Sequence, residues 1–202
     1  ISLVALLALI PYAIWVIYSI FKRRWRRVGI QFGILCAVVI GLAGAWRIFD
    51  QGNLPNLFDC QVELSPALFK YGSPRHFTGD GYSIWVYELP AMIRARFESA
   101  DQRLMTKYPK SWRHGARWGT EHWRPTPFDA EFGDGLQLVL SNYDAKETPE
   151  ISPHLEAMRQ ALENEGSYYA FFYQRALDRI SDIDFFLVDL ANNRLYIVNH
   201  NT

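Results

Sequence analysis

The sequence predicts an α+β protein: an N-terminal two-helix transmembrane hairpin, then one exported domain with a mainly antiparallel sheet and two amphipathic helices. Three observations carry this. Two uncharged apolar runs, 1–21 and 28–46, flank the basic stretch FKRRWRR. Short aromatic and β-branched runs then recur, and the last two are joined through Asn192-Asn193, residues suited to a tight hairpin turn. Strand and helix patterns do not alternate regularly, which favours an antiparallel sheet over a doubly wound parallel one.

A hydrocarbon core about 30 Å thick needs roughly 20 helical residues, so both apolar runs are long enough to span it. Lys22, Arg23, Arg24, Arg26 and Arg27 fill the intervening loop 22–27. Each would cost about 2.5–3.5 kcal/mol at mid-membrane, and short basic loops stay on the cytoplasmic side. The lipid bilayer is therefore the expected partner of the two helices. A bacterial inner membrane is the expected location, with everything after Trp46 in the periplasm or cell exterior. Residues 22–45 also read as a signal peptide cleaved after Ala45, at Ala43-Gly44-Ala45. Either reading exports the downstream domain. The chain opens at Ile1 rather than a methionine, which reads as a fragment or a processed form. A turn this short leaves no room for a nucleic-acid site, and no nucleic-acid partner is expected.

Residues 47–59 contain DQGNLPNLFD, rich in turn formers, and read as a linker to a domain over 60–202. Removing the five loop cations leaves sixteen Lys and Arg against twenty-one Asp and Glu after Trp46, a balance of −5. Such a domain suits a basic protein partner. Cys36 and Cys60 fall on different sides of this boundary and should not pair. Cys60 reads as a buried small hydrophobe or as one half of an intermolecular disulfide.

Within the domain, YSIWVYEL (82–89) has the density of a strand. Pro90 opens a helix in which Ile93, Phe97, Ala100 and Leu104 form one apolar stripe. The stretch 108–128 holds three Trp, two His, two Gly and three Pro with no clean period, and reads as a long irregular loop. GLQLVLS (135–141) alternates like a half-buried strand. Ser152-Pro153 starts a second helix with a Leu155, Met158, Leu162 stripe, closed by Gly166. Strands are expected at 167–174, 184–190 and 194–200.

Chemical motifs are sparse. Gly79-Asp80-Gly81 precedes a strand, whereas a phosphate loop needs a helix N-terminus there and a calcium loop needs further oxygen ligands. His114, Glu121 and His122 lack the one-turn spacing of a helical zinc site. No serine lies in G-x-S-x-G. His76, Asp80, His114 and His122 are the weak catalytic candidates, and no metal or cofactor is expected. Tyr168, Tyr169, Phe171, Phe172 and Tyr173 fall within six residues, so a strand here carries aromatics on both faces. A helix or a partner protein must cover the second face. Tyr169, Phe171, Tyr173, Trp112 and Trp118 are the candidate binding residues.

FTGDGYSIWVYELP (77–90) and the segment 168–202 together resemble a loose family of small bacterial membrane-anchored proteins of unknown function. The resemblance implies a bacterial source, an F-x-G-D-G turn before a strand, and a tyrosine-rich strand with a closing hairpin. It implies no activity, substrate or cofactor. The functional expectation is a membrane-anchored exported binding domain, in concrete form an immunity protein that neutralises an antibacterial toxin. The alternatives are an envelope hydrolase using His and Asp residues, and the sensor input domain of a larger membrane protein.

Overall fold

The computed structural model describes residues 54–74, 80–110, 117–140 and 149–201. The centre is one six-stranded sheet, antiparallel at every pairing: β1 (Phe69–Gly72), β2 (Gly81–Glu88), β3 (Trp118–Pro125), β4 (Ser167–Ala176), β5 (Arg179–Asp189) and β6 (Arg194–Asn201). The order across the sheet is β1-β2-β6-β5-β4-β3. Five α-helices lie among the described residues: α1 (Leu54–Phe58), α2 (Ala91–Glu98), α3 (Gln102–Lys107), α4 (Gly133–Leu140) and α5 (Ser152–Glu163).

This corrects the predicted architecture. Among the described residues a six-stranded sheet with five α-helices covering both faces stands in place of the expected domain with two amphipathic helices, and none of those helices forms the expected transmembrane hairpin. The longest helix among the described residues, α5, has 12 residues. At 1.5 Å each it extends about 18 Å, well short of a bilayer core of about 30 Å. Among the described residues no helix is long and apolar enough to cross a membrane. The reading of the chain as an inner-membrane protein with a periplasmic domain therefore gains nothing from the fold. The expected spans 1–21 and 28–46, with Lys22, Arg23, Arg24, Arg26 and Arg27 between them, lie outside the described residues.

Period-two alternation sends the strand residues to two separate cores. On the first face Ile84, Val86, Tyr169, Phe171, Phe185, Leu187, Tyr196 and Val198 pack under α4 and α5. On the second, Ala170, Phe172, Phe186, Val188 and Leu195 meet Phe58, Ile93, Phe97, Leu104 and Trp123. Trp123 anchors this core. Its ring stacks on Phe58 (5.5 Å) and meets Phe97 edge-on (4.9 Å), and its Nε1–H donates to the Leu57 carbonyl at 2.9 Å.

Three local expectations change. Residues 133–140 are helical, not a strand. In eight residues, Leu136, Val139 and Leu140 fit a helical face as well as they fit alternation. The sheet then latches the helix end: the Tyr82 hydroxyl donates to the Val139 carbonyl (2.9 Å), and His200 Nδ1 lies 2.7 Å from that of Leu138. Both carbonyls belong to the last turn, where no intrahelical donor exists. The expected helix from Pro90 to Leu104 breaks at Ala100, which takes φ 47°. Asp101 then caps α3 by accepting from the Arg103 and Leu104 amides. β3 lies inside the expected irregular loop. It is an edge strand, where Pro125 is tolerated, and a register shift between Glu121 and Arg124 erases its alternation. β1 has only four residues and no legible pattern.

Candidate functional site

Of the four catalytic candidates, two lie among the described residues, and these stand far apart. Asp80 precedes β2, whereas the exposed His122 belongs to edge strand β3. Four interstrand steps of about 4.8 Å put them roughly 19 Å apart. His122 Nδ1 sits 3.1 Å from the Tyr108 carbonyl, so the ring donates there. His76 and His114 lie outside the described residues. The other histidines pack. His154 stacks on Phe69 at 4.2 Å, and His200 is buried, edge-on to Tyr82. Burial, helped by the Arg194 charge, holds the His154 pKa below its ordinary value. Among the described residues no group of three or more His, Cys, Asp or Glu is placed to hold a metal.

The binding candidates separate by face. Tyr169 and Phe171 are buried in the first core, and the Tyr169 hydroxyl accepts from the Asp129 amide at 3.1 Å. Tyr173 is half-buried, with its ring lying over Gly119, where only a missing Cβ allows the approach. Trp118 is half-buried at the edge of the second face, and Trp112 lies outside the described residues.

The second face is itself divided. The helices α1, α2 and α3 with Trp123 cover the end bearing Tyr168, Val188 and Leu195. Toward the other end the same alternation brings up polar residues. Gln174 on β4 faces Asp182 on β5, and Asp184 on β5 faces Asn199 on β6. Asn199 Nδ2 donates to Asp184 and, at 3.4 Å, to Asn201 Oδ1. The Ser181 hydroxyl donates to Asp182 at 2.7 Å. Trp85 and Ile197 lie on one side of this row and Trp118 on the other, all half-buried. The result is a row of carboxylates and amides between two indoles, on rigid strands rather than loops. Carboxylates accept, amides do both, and indoles offer wide flat contact. That donor set suits recognition of cationic side chains.

Sequence reasoning missed this row. A signal exists in SDIDFF and YIVNHN, where polar residues take every second position at one end of each strand. Only the register shows that these positions share a face.

A second polar cluster ties the helical layer together. Arg96 donates to the Phe58 and Asp59 carbonyls (2.5 and 3.1 Å) and to the Asp101 carboxylate (2.5 Å). Arg103 pairs with Asp59 at 2.9 Å, and the Tyr108 hydroxyl donates to the same carboxylate. The Tyr108 hydrogen bond foremost, with the charges of Arg103 and Arg96 and against partial burial, holds the Asp59 carboxyl below its ordinary range. Asp101 is lowered chiefly by its hydrogen bond from Arg96. Burial opposes the Arg96 charge, but hydrogen bonds to Asp101 and Cys60 outweigh it and raise its pKa. Cys60 is a free, half-buried thiol packed at the margin of this core. Every strong partner in the cluster is already satisfied within it, which makes it a clamp rather than a site. No family profile, no curated protein and no solved structure matches the chain.

Proposed function

We propose that the domain acts by binding a basic protein partner on the polar half of its second sheet face. The observation that supports this is the strand-mounted row Gln174, Asp182, Asp184, Asn199 and Asn201 between Trp85 and Trp118. The excess of acidic residues after Trp46 acts in the same direction, because it speeds encounter with a cation-rich surface. An immunity protein that covers the active site of an antibacterial toxin is the concrete form of this reading. Such a partner needs no catalytic group on this chain, only a preorganised surface of opposite charge.

The test reverses the face. The double variant Asp182→Lys, Asp184→Lys is titrated calorimetrically against the toxin candidate encoded by a neighbouring gene. Binding roughly tenfold or more weaker, through a salt-sensitive association rate, is the expected outcome. Unchanged affinity in a variant that keeps its fold would end the reading.

A further inference from the structure

The β4–β5 hairpin reaches past its neighbours. Pairing of β3 with β4 stops at Trp118 with Gln174, and pairing of β5 with β6 stops at Ile183 with His200. The turn beyond carries Leu177, 98% exposed, with φ 58°. Only Gly occupies that backbone without steric cost and Asn tolerates it, yet a large apolar side chain stands there. Arg175 and Arg179 flank it, both exposed. The prong is braced. The Ile180 amide donates to Asp134 Oδ2 at 2.9 Å, and Gly135 lets Ile180 and Ile183 close against α4.

The same chain carries a matching socket. An apolar groove of ≈ 360 Å³ runs between α4 and α5, lined by Phe128, Leu136, Leu140 and Leu162, with Glu163 at its rim. Exposed Glu165 lies just beyond the helix. Arg159, a cation on the rim, is held by Glu156. The prong carries two arginines, one leucine and exposed Asp178, so a net charge of +1 and an apolar tip face two carboxylates and an apolar floor. We propose that the Leu177 prong of one copy seats in the α4–α5 groove of a second copy. Reciprocal seating closes a two-fold dimer, which buries each exposed leucine and leaves the polar face of the second sheet side outside the contact. The proposal does not depend on what that face binds.

The test uses the full chain. Leu177→p-benzoylphenylalanine is photo-crosslinked in a mixture of isotope-labelled and unlabelled copies, and the adducts are mapped by mass spectrometry. Cross-links between copies that land on Phe128, Leu136 or Leu140 are expected. In parallel, sedimentation equilibrium measures Leu177→Asp, which should weaken association roughly 10- to 100-fold by removing one buried leucine per contact. Arg175→Glu with Arg179→Glu, and Glu163→Lys with Glu165→Lys, should each dissociate alone and associate when mixed. Cross-links confined to one copy or mapping elsewhere, association that survives Leu177→Asp, or charge variants that fail to recover on mixing would each overturn the proposal. Asp182→Lys with Asp184→Lys should leave this association intact, which separates its failure from that of the partner-binding reading.

Discussion

Tyr82→Phe tests how the α4 layer is held to the sheet. The substitution keeps the ring and its packing and deletes one hydroxyl. That hydroxyl donates at 2.9 Å to the carbonyl of Val139, a fully buried residue. Because Val139 lies in the last turn of α4, no backbone amide of the helix can replace the lost donor. Leaving a buried acceptor unsatisfied costs about 1–3 kcal/mol. Removing the hydroxyl also spares the folded state its desolvation, which offsets part of that cost. The expected net loss is about 1–2 kcal/mol, or roughly 2–8 °C in melting temperature for a chain of this size. Urea unfolding should show a lower midpoint at unchanged slope, and hydrogen exchange should speed selectively in α4. Burial also pushes the Tyr82 pKa up, so the wild type should lose stability as pH climbs past the ordinary tyrosine value, and the variant less so. A loss under about 0.5 kcal/mol, within the range of a neutral surface change, would refute the latch.

Further outcomes rest on the same contacts. Trp123→Ala removes a buried ring packed on Phe58 and Phe97 and should cost about 3–5 kcal/mol, read as a large fall in the denaturant midpoint. Gly119→Ala places a Cβ about 2.6 Å from Tyr173 Cε1. Displacing the ring costs about 1–3 kcal/mol, which exceeds the roughly 0.5–1 kcal/mol gained by replacing a strand glycine, so thermal melts should show net destabilisation. Stability should also fall at both pH extremes. Neutral His154 has a folded pKa depressed below 6.5, so its contribution is present above 6.5 and lost as pH falls through the folded value. Asp59 and Asp101 are depressed below 3.8 and add a second loss at lower pH. Tyr196, pushed up to about 12 by burial and then by Asp189, contributes below pH 10 and loses that contribution between 10 and about 12. Midpoints measured across pH check each sign, and His154→Phe should flatten the first loss alone.

Local chemistry was legible wherever one period dominated. The sequence by itself determined β2, β4 and β6 as strands within a few residues, and the C-terminal half of β5, because aromatic and β-branched side chains crowd there. It determined α5 through the Leu155, Met158 and Leu162 stripe, and the positive φ of Asn193 that turns β5 into β6. It also showed that the 168–173 run must be covered twice. Tertiary structure decided the rest. Eight residues fit two periods, so α4 became a helix only because Tyr82, His200 and Asp134 fix its two ends to the sheet. A bulge and an edge position hid β3, since neither alternation nor proline avoidance binds an edge strand. The candidate site was the least legible part. Asp182, Asp184, Asn199 and Gln174 share no sequence motif, and neighbouring strands bring them together only through a register that the two buried apolar faces impose.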